Sequence, residues 1–261
     1  MYNKRLSILF LLLFTIAIPQ ANAFWGFTTK AISAISAISK NVKVLPEDEI
    51  IRLSKLSDKI QGTKKIGKEL GKLNLPDDVL EDAFIRIAIH QKKLTRETAE
   101  RMFSRLSGVP GFRSTLRKIV GNSDVGTVGH LNELKIADAA SVNGFKVIGI
   151  GEKFSDGLKK APTDIDVLLK KGEKIFAIEA KSYASTTKIT MDKFRGDLDT
   201  LVAYKNMHGE NVIPVFTITN KPHDLSYLKR LHYEANKRGV QLVFGKPQEQ
   251  IEKIKMLGSI L

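Results

Sequence analysis

Hydrophobic positions along this chain recur in two rhythms, and the change from one to the other divides it. Before residue 121 the apolar residues return at helical spacing: Leu53, Leu56 and Ile60, then Val79, Ala83 and Ile87 with Phe84 and Ile85 beside them. Thr95 is placed to cap a helix carrying Met102, Phe103 and Leu106, which Gly108 and Pro110 end. After the breaker cluster Gly121-Asn122-Ser123, apolar runs and helical stretches alternate. The pattern predicts a helix over 129–142, strands over 145–150, 163–170 and 174–182, and a helix over 190–207. A strand over 212–219, a helix over 224–238, a strand over 240–244 and a terminal helix from Pro247 follow. Strands interleaved with helices make an α/β domain, here 121–261, preceded by an all-α region over 24–120.

The amino terminus has its own pattern. Lys4 and Arg5 precede an apolar stretch over 6–18, and Ala21-Asn22-Ala23 then offers a small-x-small cleavage site. Thirteen apolar residues fall short of the roughly 20 that span a bilayer as a helix, so 1–23 is expected to be a secretory signal, with an uncleaved anchor as the alternative. The product would be secreted or periplasmic after cleavage near Ala23. Behind it stand Trp25 and three copies of Ala-Ile-Ser, which put Ile32, Ile35 and Ile38 on one drifting helical stripe. That stripe is either a short packing helix or a segment that lies on a membrane.

Composition narrows the classes. At 261 residues the chain can bury a sizeable core, and 19 Gly and no Cys exclude a collagen, a disulfide-stapled mini-domain, a thiol enzyme and a Cys-ligated zinc or iron–sulfur protein. The net charge is +14, which favours polyanionic partners. Residues 24–123 hold 19 basic and 11 acidic side chains, a balance of +8; 124–261 hold 21 and 17, a balance of +4. The helical half thus carries most of the charge.

The stretch over 164–181 carries the chemistry. If Gly172-Glu173 is a two-residue turn, Lys171 faces Lys174, Asp166 faces Glu179 and Asp164 faces Lys181. One face then holds Ile165, Val167, Leu169, Phe176, Ile178 and Ala180, and is core. The other holds Leu168 and Ala177 with Asp164, Asp166, Glu179 and Lys181 gathered at the open end. Facing carboxylates about 4.5–5.5 Å apart at Cβ repel, and a divalent cation removes that penalty. Two hard oxygen ligands with open positions suit Mg²⁺, which fills the rest of its octahedron with water and phosphate oxygens. A three-residue turn would shift the register by one and undo the pairing.

Pro162-Thr163-Asp164-Ile165-Asp166, followed after the hairpin by Ile178-Glu179-Ala180-Lys181-Ser182, resembles the PD-(D/E)XK nuclease superfamily, whose restriction-endonuclease-like core runs helix, three strands, helix, strand. The elements over 129–219 come in that order, and the resemblance says nothing of 24–120. It implies that Asp166 and Glu179 bind Mg²⁺, with Mn²⁺ able to substitute, and that Glu133 on the first core helix completes the metal site. It implies that Lys181 activates the attacking water and steadies charge on the phosphate. Asp164 stands where some members have a second acid, which leaves two candidates for one role. In the family the helix after the third strand often follows the substrate backbone, so Lys193 and Arg195 are expected on phosphates; a solvated basic face is the alternative.

An acid-x-Lys triplet is weak alone, and this chain has two, but only Glu179-Ala180-Lys181 lies on a strand, where both side chains point the same way. His130, one helical turn from Glu133, either lines the same cleft or packs. Gly149-Ile150-Gly151 lacks the third glycine of a dinucleotide fingerprint, and there is no phosphate-loop Gly-Lys-Ser and no Gly-x-Ser-x-Gly. The expectation is an exported Mg²⁺-dependent nuclease acting on DNA before RNA, a toxin, effector or periplasmic enzyme with a cognate inhibitor protein as a further partner. The alternatives are a non-catalytic nucleic-acid- or protein-binding relative and a membrane-surface protein.

Overall fold

The computed structural model describes residues 76–155 and 162–260, so the expected signal segment over 1–23, the Ala-Ile-Ser repeat and the Leu53–Ile60 pattern lie outside the described residues. Four helices come first: α1 Asp77–His90, α2 Arg96–Leu106, α3 Phe112–Gly121 and α4 Asp124–Val142. Three strands follow, β1 Lys146–Phe154, β2 Thr163–Lys171 and β3 Lys174–Lys181, then α5 Met191–His208, β4 Val212–Ile218, α6 Leu225–Lys237, β5 Gln241–Phe244 and α7 Pro247–Ile260. The sheet runs β1-β2-β3-β4-β5, antiparallel as far as β3 and parallel from β3 to β5. The parallel pairs are joined through α5 and α6, which cover one face, while α4 and α7 cover the other. The result is a three-layer α/β architecture on a mixed sheet.

Local chemistry explains several boundaries. Thr95 caps α2 as expected, its Oγ1 accepting the Thr98 N–H at 3.2 Å. α4 begins directly after Ser123, five residues before the predicted start, because Gly126 and Gly129 are carried inside the helix. β1 runs on to Phe154 past Gly151, whose φ of +61° marks a kink within the strand and not its end.

The predicted boundary at 121 marks a change of rhythm and no break in the core. Leu80, Phe84 and Ile87 of α1, Met102 and Leu106 of α2 and Leu116 of α3 belong to the same buried cluster as Leu134 of α4, Val167 and Phe176 of the sheet and Ile254 of α7. Gly111, at φ +87°, is the cap residue directly before α3, where the Ile150 N–H reaches the Pro110 carbonyl at 2.9 Å. A Cβ on Gly111 would lie 1.7 Å from the Ile150 carbonyl oxygen, whereas one on Gly108, φ +78°, would meet nothing within 4 Å. Gly111→Ala is therefore expected to destabilise the chain by about 3 kcal/mol or more, from left-handed strain plus a backbone clash, against about 1–2 kcal/mol for Gly108→Ala. Urea denaturation of the two variants side by side checks it; equal midpoints would refute the docking role of Gly111.

Candidate active site

The β2–β3 turn is built as its sequence predicts. Gly172 has φ +59°, and the pairs Lys171↔Lys174, Lys170↔Ile175, Leu169↔Phe176, Leu168↔Ala177 and Val167↔Ile178 follow in the expected register. Val167, Leu169, Phe176, Ile178 and Ala180 enter one core; Leu168 and Ala177 enter the other, beneath α5.

The register stops one pair short of the acids. Beyond Val167↔Ile178 the two strands share no further pair, and Asp166 has a partner in neither neighbouring ladder. In place of a carbonyl, the Asp166 carboxylate accepts the Ala180 N–H through Oδ2 at 2.7 Å. Across this break Ile165 joins the second core, so the six-residue apolar face predicted for the hairpin is five residues long. Asp164 does not face Lys181; it pairs with Lys153 of β1, and its side chain is 47% exposed with Lys118 Nζ at 3.9 Å. Of the two candidate acids, Asp166 is the one turned inward to β3.

β3 presents Glu179 and Lys181 on one side, as alternation requires, and the Lys181 ammonium donates to Glu179 Oε1. Glu179 is only 8% exposed. Lys181 Nζ also lies 3.2 Å from Oδ2 of Asp197 on α5. Asp197 is not legible in the sequence, since nothing in 191–199 separates it from Asp192 and Asp199; only the packing of α5 on the sheet brings it to Lys181. Glu133 is buried on α4, its Oε1 2.9 Å from His130 Nδ1, so His130 belongs to the site's surroundings. The neighbouring Asn132 reaches the same strand ends: Thr219 Oγ1 donates to Asn132 Oδ1 at 3.4 Å, and the Thr219 N–H donates to the Lys181 carbonyl at 2.9 Å.

These groups repel one another electrostatically. Burial, then the charges of Glu179 and Glu133, push Asp166 well above the usual carboxylate range, and the hydrogen bond from Ala180 only partly offsets them. Burial pushes Glu179 up to about 7 against the pull of Lys181. For Lys181 burial favours the neutral amine, but Glu179 and Asp197 outweigh it and hold the ammonium charged.

The two cations expected on substrate differ. Lys193 is exposed, one helical turn before Asp197 on the same side of α5. Arg195 stands on the opposite side and ties α5 to α6, donating to Glu234 Oε1 at 2.7 Å, while Glu234 Oε2 accepts from Arg238 at 2.6 Å.

Among the described residues no three His, Asp or Glu side chains converge as a ready-made metal cage. The donor set nevertheless fits a hard divalent cation. Mg²⁺ takes one or two protein carboxylates and completes its shell with water, and Asp166 and Glu179 are oxygens whose charge the fold penalises. Asn132 Nδ2, buried without a hydrogen-bond partner, leaves polar capacity nearby.

No protein-family model matches the chain, and no curated protein matches it. Among solved structures it is similar to SfsA of Pyrococcus furiosus, described in complex with Ca²⁺, at 15% identity and a TM-score of 0.28. The match covers 43% of this chain and 53% of that one, so the chain spans about half the length of that protein.

Proposed function

We propose that this chain is an exported, Mg²⁺-dependent nuclease that hydrolyses phosphodiester bonds, in DNA before RNA. The observation that carries the reading is the break in the β2–β3 ladder, where Asp166 and Glu179 are held together at a cost in electrostatic energy beside a charged Lys181. A site arranged against its own stability is a mark of function. Asp166 and Glu179 would hold the cation with Glu133 nearby, and the cation would polarise the phosphate and lower the pKa of a bound water.

The chain's own residues do the rest. Lys181, kept protonated by Glu179 and Asp197, places positive charge where the scissile phosphate gains negative charge. Asp197 orients that ammonium from α5, and Lys193 offers an exposed ammonium to the substrate backbone a turn away. The net +14 draws the polyanion in. Export rests on the pattern over 1–23, and a cognate inhibitor protein is the partner that a cytoplasmic precursor of such an enzyme calls for.

Purified full-length chain is expected to nick supercoiled plasmid with Mg²⁺ or Mn²⁺ and not in EDTA. No cleavage of plasmid, single strands or RNA with either cation, while DNA binding persists, would overturn the enzyme and leave a nucleic-acid-binding protein.

A further inference from the structure

A second charged concavity lies on the other side of α4. Successive helical residues turn by about 100°, so Lys135, Asp138 and Val142 stand on the face away from Glu133. With Arg101 and Arg105 of α2, and Lys246 and Pro247 where α7 begins, they line an open cavity of about 380 Å³. That volume is within the range of small-ligand sites, roughly 300–1,000 Å³.

Four cations and a single carboxylate share this lining. Asp138 does not neutralise them; it aims two of them. Its Oδ2 accepts Arg101 Nε–H at 3.0 Å and its Oδ1 accepts Arg105 Nη1–H at 2.8 Å. A guanidinium has five N–H donors, so both arginines, 38% and 34% exposed, keep donors for a ligand. Lys135 and Lys246 are exposed at the rim. The start of α7 adds the positive end of a helix whose first turn is already fixed, with Pro247 in first place and Glu249 Oε2 accepting the Lys246 N–H at 3.2 Å. Val142, which leaves 53% of its surface to solvent, forms an apolar stretch of the wall with Ala139 and Pro247, and Thr98 and Gln248 complete the lining.

The arginines tie α2 to α4 through Asp138, but the two exposed lysines and the uncovered apolar wall gain nothing from that tie, and a ligand with an anionic end and a flat body supplies both needs. We propose that this cavity binds a small phosphate-bearing ligand of the nucleotide class, its phosphate on Arg101, Arg105, Lys135 and Lys246 and its base against Val142 and Pro247. A nucleic-acid duplex fits less well, because its phosphates form a convex ridge with the bases stacked inside, which would leave Val142 uncovered. The inference is independent of the nuclease reading, since Glu133 and the sheet edge face the other way.

Calorimetric titration of the full chain with AMP, in EDTA and about 0.15 M salt where diffuse surface charge is screened, is the test. Saturable one-to-one binding is expected, weakened at least about tenfold in the double variant Lys135→Ala, Lys246→Ala, because each lysine makes a charge-assisted contact. Both side chains are exposed, so an unchanged thermal midpoint verifies that the variant is folded. Inorganic phosphate should bind more weakly than AMP, and adenosine should not bind. No saturable binding at millimolar AMP, or equal affinity in the double variant, overturns the proposal. So does phosphate binding as tightly as AMP, or a duplex oligonucleotide that needs these lysines while AMP does not bind.

Discussion

Lys181→Ala and Glu179→Gln are each expected to lower Mg²⁺-dependent plasmid nicking by about a thousandfold or more, with the circular-dichroism spectrum at 25 °C unchanged. Removing one electrostatic contact to a developing charge costs about 10²–10³ in rate, and each of these residues is asked for more than one such contact. In the proposed mechanism Lys181 would face the phosphate, and it balances Glu179 and Asp197. Glu179→Gln keeps the shape and the ability to accept from Lys181 but withdraws the anionic oxygen a cation needs. The two variants fail for different reasons, and the reasons are separable. Raising Mg²⁺ or substituting Mn²⁺ should recover part of the Glu179→Gln activity and none of the Lys181→Ala activity. Nicking that survives within tenfold of wild type in either variant would place the chemistry elsewhere.

The second large effect concerns stability and its sign follows from the raised carboxylates. Glu179 titrates near 7 in the folded chain and near 4.5 when unfolded, and Asp166 is displaced in the same direction from 3.8. Between those values the folded state holds protons that the unfolded state has released, so stability falls as pH rises from about 4.5 through 7. The loss is on the order of 2–3 kcal/mol for Glu179 alone. Asp166→Asn removes one of the two charges while leaving an oxygen to accept the Ala180 N–H. In EDTA the variant should therefore melt several degrees above wild type at pH 8 and nearly with it at pH 5, since about 1 kcal/mol moves the midpoint of a chain this size by roughly 2–4 °C. Mg²⁺ should raise the wild-type midpoint at pH 8 and leave the variant unmoved, and the variant should not nick. Taking the difference between the two proteins cancels the groups that titrate elsewhere, among them Glu234, held near 2 by Arg195 and Arg238. Parallel stability curves for wild type and variant from pH 5 to 8 would refute the buried-charge account.

Both expectations depend on residues of unequal legibility. Glu179 and Lys181 could be placed on one side of a strand from their spacing, and the Gly172-Glu173 turn set the register as far as Val167↔Ile178, because a turn's backbone angles and a strand's alternation are properties of adjacent residues. Past that pair the same rule failed. It placed Asp166 opposite Glu179 and Asp164 opposite Lys181, but the strands part there and a side chain takes over the bond a carbonyl would have made. A ladder's end depends on the twist of three strands at once, and no run of neighbours encodes it.

By itself, then, the sequence determined the periodic and the local: the order of helices and strands from 129 onward, the cap at Thr95, the hairpin register and the acid-x-Lys pair on its inner strand. Its basic charge and absence of cysteine likewise depend on composition alone. Tertiary structure alone decided which acid turns inward, that Asp197 meets Lys181, that Arg195 serves Glu234, and that helices before 121 share one core with the sheet. It also brought Arg101, Arg105, Lys135 and Lys246, distant in sequence, around one cavity. Contacts of this kind join side chains tens of residues apart, and their formation depends on how layers cross and twist when the core packs, which is a property of the assembled whole.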